Sequence, residues 1–589
     1  MRASTLILLS FALLAMPVAA EVITVETETI VQPAPRTLEA PPRLTQTRGT
    51  QPVATLMRAD YAAWEQVEAI GAWNRAGNTP IHDGFSRPLA VPTTLNLDPA
   101  EASRGVLIER QGDATLWSTH VFVENAHRLR LRLNAVELPA NTVMWVYNDK
   151  DEVVRFGPEL RSPDGELWTP SIGGERIYLD VQLPNDAAAY FELDAVAQMF
   201  RLDRNGDAIV GPTVAQRMEC LEDAACYTGS DYTGLTTLKQ AVSHVRFMNG
   251  GMSGTCTGQL IADTDTSTVI PYLTTANHCF ATQSAASSVE AYFDDIAPSC
   301  MGTWPSISSL PRVNGATLLA STSSNDSTLI RLSANPPGTR SYLGWTTNNI
   351  PSGTQLLRVS HPLGYPQHVS TTQAITPASN QICGGVGVNE FAYSRLTFGG
   401  TFGGSSGSAI TMLNGSNLYM VGQQLGACGT NTADGCDGVN NNEVDGRFSD
   451  FYPTVSSFLD PDTNSGGGCT PSDTVLCIDD EAGDQRFKAT LFVGNGIDID
   501  AQAVPLSSLG ITRGGMFWFF ELANPELLVK VLNGCGINGN SRGPPAPTTP
   551  PPPPSTIEDT QDSATEIYTN PANSLANTVS DLTAFSGCN

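Results

Sequence analysis

Val269-Ile270-Pro271-Tyr272-Leu273-Thr274-Thr275-Ala276-Asn277-His278-Cys279 is an apolar run that ends in a polar turn, with an imidazole in the turn and a cysteine directly after it. Cys256 lies upstream in Gly254-Thr255-Cys256-Thr257-Gly258, and a disulfide from Cys256 to Cys279 would pin the histidine's loop. A lone histidine at a strand end is as often structural as functional, and two further segments decide its reading. Asn325-Asp326-Ser327-Thr328-Leu329-Ile330-Arg331-Leu332 places a carboxylate just before an apolar strand, where a buried Asp can orient an imidazole and stabilise its protonated form. Gly403-Gly404-Ser405-Ser406-Gly407-Ser408-Ala409 is a small-residue turn between apolar segments. A nucleophilic serine needs such a turn, because it exposes the hydroxyl and aims backbone N–H groups at the developing oxyanion. Each signal alone is weak, since Gly/Ser clusters are usually plain loops and most Asp residues before strands are turn residues. In the order His278, Asp326, Ser406 they make a base, an orienter and a nucleophile.

With these three segments on the page, the chain resembles the trypsin/chymotrypsin family, and within it the bacterial lysyl endopeptidases. The resemblance is carried by Cys220-Leu221-Glu222-Asp223-Ala224-Ala225-Cys226, Cys256-Thr257-Gly258-Gln259-Leu260, Ala276-Asn277-His278-Cys279, Ser360-His361-Pro362, Gly404-Ser405-Ser406-Gly407-Ser408, Val421-Gly422-Gln423, Asp445-Gly446-Arg447 and Phe458-Leu459-Asp460-Pro461, spanning residues 217–463. It implies a double β-barrel, a His278–Asp326–Ser406 triad, and an oxyanion hole formed by the N–H groups of Gly404 and Ser406. It also implies disulfides Cys220–Cys428, Cys226–Cys300 and Cys256–Cys279, which leaves Cys383 and Cys436 free to pair with each other.

The chain departs from the family pattern at three places. Most trypsin-type zymogens switch on when a new N-terminus pairs with an Asp just before the nucleophile; here that position is Ser405. Trypsin reads basic side chains with an Asp six residues before its serine; here that residue is Gly400. Lysyl endopeptidases use an acid shortly before a Gly-Arg pair, and Glu443-Val444-Asp445-Gly446-Arg447 offers two, of which Glu443 aligns best. A buried carboxylate there would select Lys or Arg by charge-assisted hydrogen bonding. Leu425 and Cys383 stand where that branch places an aromatic–His stack, so the expectation is a basic preference rather than a strict choice of Lys.

The rest of the chain sets this reading in context. Only 15% of the residues are charged, and Gly (53) and Pro (40) are abundant, which suits a β-rich, loop-rich extracellular protein. The net charge of −27 repels nucleic acid, so no nucleic-acid partner is expected. Met1-Arg2, the apolar Leu6–Leu14 and Val18-Ala19-Ala20 read as a signal peptide over residues 1–20, and no later stretch is apolar and long enough to span a membrane. Export makes the 12 cysteines disulfide partners. No pair of CxxC or HxxxH motifs marks a metal site, so neither metal nor cofactor is expected.

None of the cysteines precedes Cys220. Leu129-Arg130-Leu131-Arg132-Leu133 and Ile177-Tyr178-Leu179-Asp180-Val181-Gln182-Leu183 alternate with period two between turn clusters, which predicts an antiparallel β-sandwich. Residues 21–216 are therefore read as a propeptide or N-terminal β domain preceded by an extended leader, with Arg201, Arg204 and Arg217 as possible processing points. The alternative is a permanent binding module. Residues 217–465 are the protease domain. Residues 466–542 are a linker and a small β-rich domain, with Cys469–Cys477 the simplest pairing there. Residues 543–589 are a proline-rich spacer and polar tail, with Cys588 placed to pair with Cys535.

The expectation is a secreted all-β serine endopeptidase that acts on protein and peptide substrates. Its N-terminal domain would serve as intramolecular inhibitor or chaperone. The rival from another class is a catalytically silent, protease-fold binding protein. Intact His278, Asp326 and Ser406 argue against it, because drift in a silent homologue usually removes at least one.

Overall fold

The structure is a computed structural model that describes residues 22–32, 40–44, 55–57, 61–97, 106–185, 187–210, 218–264, 269–377, 383 and 386–460, and shorter stretches between 469 and 585. The proposed signal peptide, Arg217, Cys535 and Cys588 lie outside the described residues. The chain forms two compact units, Met1–Val455 and Ser456–Asn589.

The first unit opens with a β-sandwich. One sheet is built on Ala114–Val123, Arg176–Pro184 and Val143–Tyr147; the facing sheet carries Arg128–Glu137, Tyr190–Met199 and Ile81–Thr94. The period-two reading of Leu129, Leu131 and Leu133 holds: all three are buried in one core with Trp117, Val181 and Phe191. Removing each such side chain from water contributes about 1.5–3 kcal/mol. The same reading puts Arg128 and Arg130 on a solvent face, yet both are buried. Their face is covered: Arg130 Nη1 donates to the Ser288 carbonyl at 2.9 Å, and Arg128 Nη1 donates to Ser308 Oγ at 2.8 Å.

Two barrels follow. The first contains Val242–Asn249, Met252–Leu260, Tyr272–Thr275, Ser327–Leu332 and Ala316–Thr322, hydrogen-bonded in that order. The second is a closed ring of Asn417–Gly429, Ala409–Asn414, Gln355–Ser360, His368–Ile375, Phe391–Phe398 and Asn441–Arg447; the last strand pairs back onto the first. Strand Ile81–Thr94 pairs with Tyr190–Met199 on one side and Met252–Leu260 on the other, so one sheet runs from the sandwich into the first barrel. The leader also forms strands: Thr24–Val25 pairs with Trp345–Thr346, and Glu28–Gln32 pairs with Gly338–Tyr342.

The structure corrects the cysteine scheme. Cys226–Cys300, Cys256–Cys279 and Cys469–Cys477 are bonded, but Cys220 pairs with Cys436 and Cys428 with Cys383, in place of Cys220–Cys428. The Thr401 N–H donates to the Gly435 carbonyl at 3.0 Å, which docks Cys436 beside Gly400 and Cys220. Cys428 lies opposite Asn442 in the second barrel and packs with Cys383 against Phe391, Tyr393 and Val444.

In the second unit, Gln485–Gly494 pairs with Leu476–Asp479 and with Ser555–Asp559, and the latter pairs with Ala564–Tyr568. The stretch read as a polar tail is thus part of this sheet. Ile557 is in the core, and the Asp559 carboxylate receives two bonds from the buried Arg486 guanidinium. Its alternation of Thr, Ile and acids hides a strand that is paired on both edges, with Ile557 and Asp559 buried.

Candidate active site

His278, Asp326 and Ser406 all lie in the first unit, His278 and Asp326 beside adjacent strands of the first barrel and Ser406 in a turn of the second. His278 follows Tyr272–Thr275, and the Cys256–Cys279 bond ties its loop to the neighbouring strand. Asp326 immediately precedes Ser327–Leu332, the partner strand of Tyr272–Thr275. It has a φ of 56°, a left-handed conformation that Asp tolerates better than most residues. Its backbone is fixed from both sides: its carbonyl accepts from the Asn277 N–H at 3.1 Å and from Gln423 Nε2 at 3.3 Å. The carboxylate then meets the histidine twice. Oδ1 accepts the His278 backbone N–H at 2.8 Å, and Oδ2 lies 2.7 Å from His278 Nδ1. This leaves Nε2 as the free end of the ring; it is buried and, among the described residues, has no hydrogen-bond partner.

Ser406 sits in the turn before Ala409–Asn414 and is 4% exposed. Gly404 has a φ of 95°, and a Cβ there would meet the His361 carbonyl at 2.6 Å, so the turn needs glycine. The N–H groups of Ser405, Gly407 and Ser408 are used within the fold, by the carbonyls of Phe402, Gln424 and Ser405. Those of Gly404 and Ser406 make no backbone hydrogen bond among the described residues. The carbonyls of the same two residues are held by Thr257, through its Oγ1 to Gly404 at 2.8 Å and its N–H to Ser406 at 2.9 Å. The turn therefore has its carbonyls tied back and two amides free. Thr257 lies within one of the quoted motifs, but nothing in its spacing marks this role.

Ser405, at the position of the family's zymogen Asp, is a fully buried hydroxyl that accepts from Ser360 Oγ at 3.0 Å. It offers no charge for a new N-terminus.

Beside Ser406 lies a cavity of about 690 Å³ whose wall includes Thr401, Gln424, Leu425, Gly426, Cys383 and Val444. Glu443 stands one layer behind this wall. Both carboxylate oxygens lie 2.9 Å from Thr401 Oγ1, and Oε2 also accepts from Gln424 Nε2 at 2.6 Å. Burial pushes its carboxyl up to about 7; the neighbouring Asp445 acts in the same direction and Arg358 against it. Asp445, the second acid considered for the pocket, is engaged elsewhere: its Oδ1 accepts from Arg358 Nη2 at 2.6 Å, and both side chains are buried. Arg358 also donates to the carbonyl and hydroxyl of Ser408, bracing the chain just after Ser406. A sequence without partners in view gives no sign of this arginine.

His361 and His368 are held within the fold. Both ring Nδ1 atoms meet backbone carbonyls, Tyr365 at 2.9 Å and Pro366 at 2.6 Å. His361 stacks on His244, and burial holds both rings neutral, with pKa values pushed down to about 3. Two clusters among the described residues have the spacing of metal ligands: in Cys256, His278 and Cys279 the cysteines are disulfide-bonded, and in His244, Asp295 and His361 the His244 Nδ1 is bonded to Asp295 and its Nε2 to Thr255.

Residues 214–443 match the family described as lysyl endopeptidase, C-terminal domain. The lysyl endopeptidase of Pseudomonas aeruginosa is 23% identical over 343 residues, covering 56% of this chain and 72% of that protein. The secreted RxLR effector protein 73 of Plasmopara viticola is 28% identical over 217 residues, 36% of this chain and 50% of that protein. Among solved structures, the Rv3671c protease of M. tuberculosis in its active form aligns over 42% of this chain and 93% of its own, at 14% identity and a TM-score of 0.28. Residues 214–443 are accordingly similar to the lysyl endopeptidase C-terminal domain, and the similarity to lysyl endopeptidase indicates a serine endopeptidase.

Proposed function

We propose that the chain is a secreted endopeptidase that cleaves after Lys or Arg through Ser406, His278 and Asp326. The observation that carries this reading is the pair of hydrogen bonds that the Asp326 carboxylate makes with His278, which fixes the ring with Nε2 free. In the proposed cycle Ser406 Oγ attacks the scissile carbonyl and His278 Nε2 takes its proton. The N–H groups of Gly404 and Ser406 receive the oxyanion. His278 then gives the proton to the leaving amine, and water repeats the steps on the acyl-enzyme. Asp326 keeps the proton on Nδ1 and stabilises the imidazolium.

The basic preference rests on Glu443. A Lys or Arg side chain that enters the cavity past Leu425 would approach Thr401 and Gln424 and present its N–H groups to the carboxylate behind them. The P. aeruginosa relative, by name a lysyl endopeptidase, supports the same choice. The N-terminal domain is read as the intramolecular inhibitor, because Ser405 rules out activation through a new N-terminus paired with an acid.

The test is a fluorophosphonate probe followed by peptide mapping. Label on Ser406, absent in Ser406→Ala, supports the reading. A folded chain in which Ser406 never labels would show a silent protease-fold protein instead.

A further inference from the structure

We propose that the segment Asn78–Ser86 is a built-in latch: it occupies the strand edge that leads to Ser406, in the place of a substrate backbone, and Asp83 anchors it there. The proposal rests on Ser406 being the nucleophile.

Strand Met252–Leu260 has one edge filled along its length by Val242–Asn249. Its other edge is shared. Tyr272–Thr275 takes Gln259 and Leu260, and Ile81–Thr94 takes Met252 to Thr255, with Ile81 opposite Thr255 and His82 opposite Gly254. Between these two partners lies Thr257, the residue that holds the carbonyls of Gly404 and Ser406. A strand on this stretch of edge is therefore delivered to the nucleophile's turn. Ile81 packs on Gly403, where a Cβ would meet its side chain at 3.2 Å. Asn78, Thr79 and Ile81 line the same cavity as Ser406.

An unpaired strand edge is a template for another extended chain, and one edge accepts one strand. A substrate's leaving-group side must pass the same turn in extended form, so the latch and the substrate compete.

The hold comes from side chains across the two halves of the unit. The Asp83 carboxylate, buried, accepts from Arg246 Nε at 2.9 Å, from Arg246 Nη2, and from Ser253 Oγ at 2.6 Å; both donors belong to the first barrel. On the other flank, the helix Tyr61–Arg75 grips the segment. Asn74 exchanges hydrogen bonds with the backbone of His82 at 2.8 and 2.9 Å, and Trp73 stacks on the His82 ring. Charge-assisted bonds of the Asp83 kind are about twice as strong as neutral ones, which makes Asp83 the residue whose loss frees the edge.

The test uses the full chain and a fluorophosphonate probe, with the intact band resolved by gel so that processed material does not contribute. In the intact band, Asp83→Asn should raise the labelling rate of Ser406 at least about tenfold over the wild-type chain. Ile81→Ala, which trims the contact on Gly403 and leaves the Asp83 network alone, should raise it in the same direction; it decides the matter if Asp83→Asn does not fold. Equal labelling of the intact wild-type chain and the variants would overturn the latch and leave the peptidase reading standing. Absence of labelling in every folded form would overturn both.

Discussion

Asp326 holds His278 at two points, taking the backbone N–H on one carboxylate oxygen and ring Nδ1 on the other. The first bond places the loop and the second favours the tautomer with its proton on Nδ1, so a single carboxylate fixes the position of the ring and leaves Nε2 as its acceptor. Asp326→Asn keeps the shape but can turn an N–H toward the ring. The account expects kcat to fall by roughly four orders of magnitude, as in proteases with this constellation, with KM changed far less. Steady-state kinetics on a peptide ester and a peptide amide will measure both.

Glu443 titrates near 7 because it is buried beside Asp445. Its carboxyl is neutral below that pH and charged above it, so the proposed pocket would attract a basic side chain at pH 8 and lose that attraction at pH 6. For Lys or Arg substrates kcat/KM should fall more steeply between pH 8 and 6 than for a substrate with an uncharged residue at the same place. Glu443→Gln should remove the difference between the two profiles. It should also lower kcat/KM for basic substrates at pH 8 by roughly 10- to 150-fold, the 1.5–3 kcal/mol typical of a hydrogen bond to a charged group.

Asp445 gives the contrasting case. Its partner Arg358 is buried, and removing one member of a buried pair leaves the other charge uncompensated. Asp445→Ala should destabilise the protease domain by about 3–5 kcal/mol, read as a lower urea midpoint by tryptophan fluorescence. Residual activity should keep the wild-type preference between basic and uncharged substrates. A loss of preference equal to that of Glu443→Gln would place Asp445 in the pocket.

Disulfide mapping checks the corrected scheme. Non-reducing digestion and mass spectrometry should recover peptides joined through Cys220–Cys436 and Cys383–Cys428. A Cys220–Cys428 peptide would contradict the structure.

Much of the site was legible in sequence because its parts are local. The turn at Gly403–Ser408, the His278-Cys279 pair and Asp326 before its strand each carry their signal within a few residues. The sandwich was legible through the alternation of Leu129, Leu131 and Leu133. What escaped depends on partners far along the chain. Arg130 falls on the face opposite the core leucines until Ser288 covers it, and Asp83 carries no local signal of the Arg246 and Ser253 that surround it. Asp445 and Glu443 are two residues apart and chemically alike, yet Arg358 claims one while Thr401 and Gln424 take the other. The Cys220–Cys428 expectation failed for the same reason, since the docking of Gly435 beside Cys220 is set by a hydrogen bond from Thr401.

The most direct test of the central claim is cleavage-site profiling by mass spectrometry. The active protein and its Ser406→Ala variant are each incubated with a denatured protein mixture, and new termini are mapped. The account predicts cuts that require Ser406 and fall after Lys or Arg. A folded, processed protein that produces no Ser406-dependent termini would contradict it.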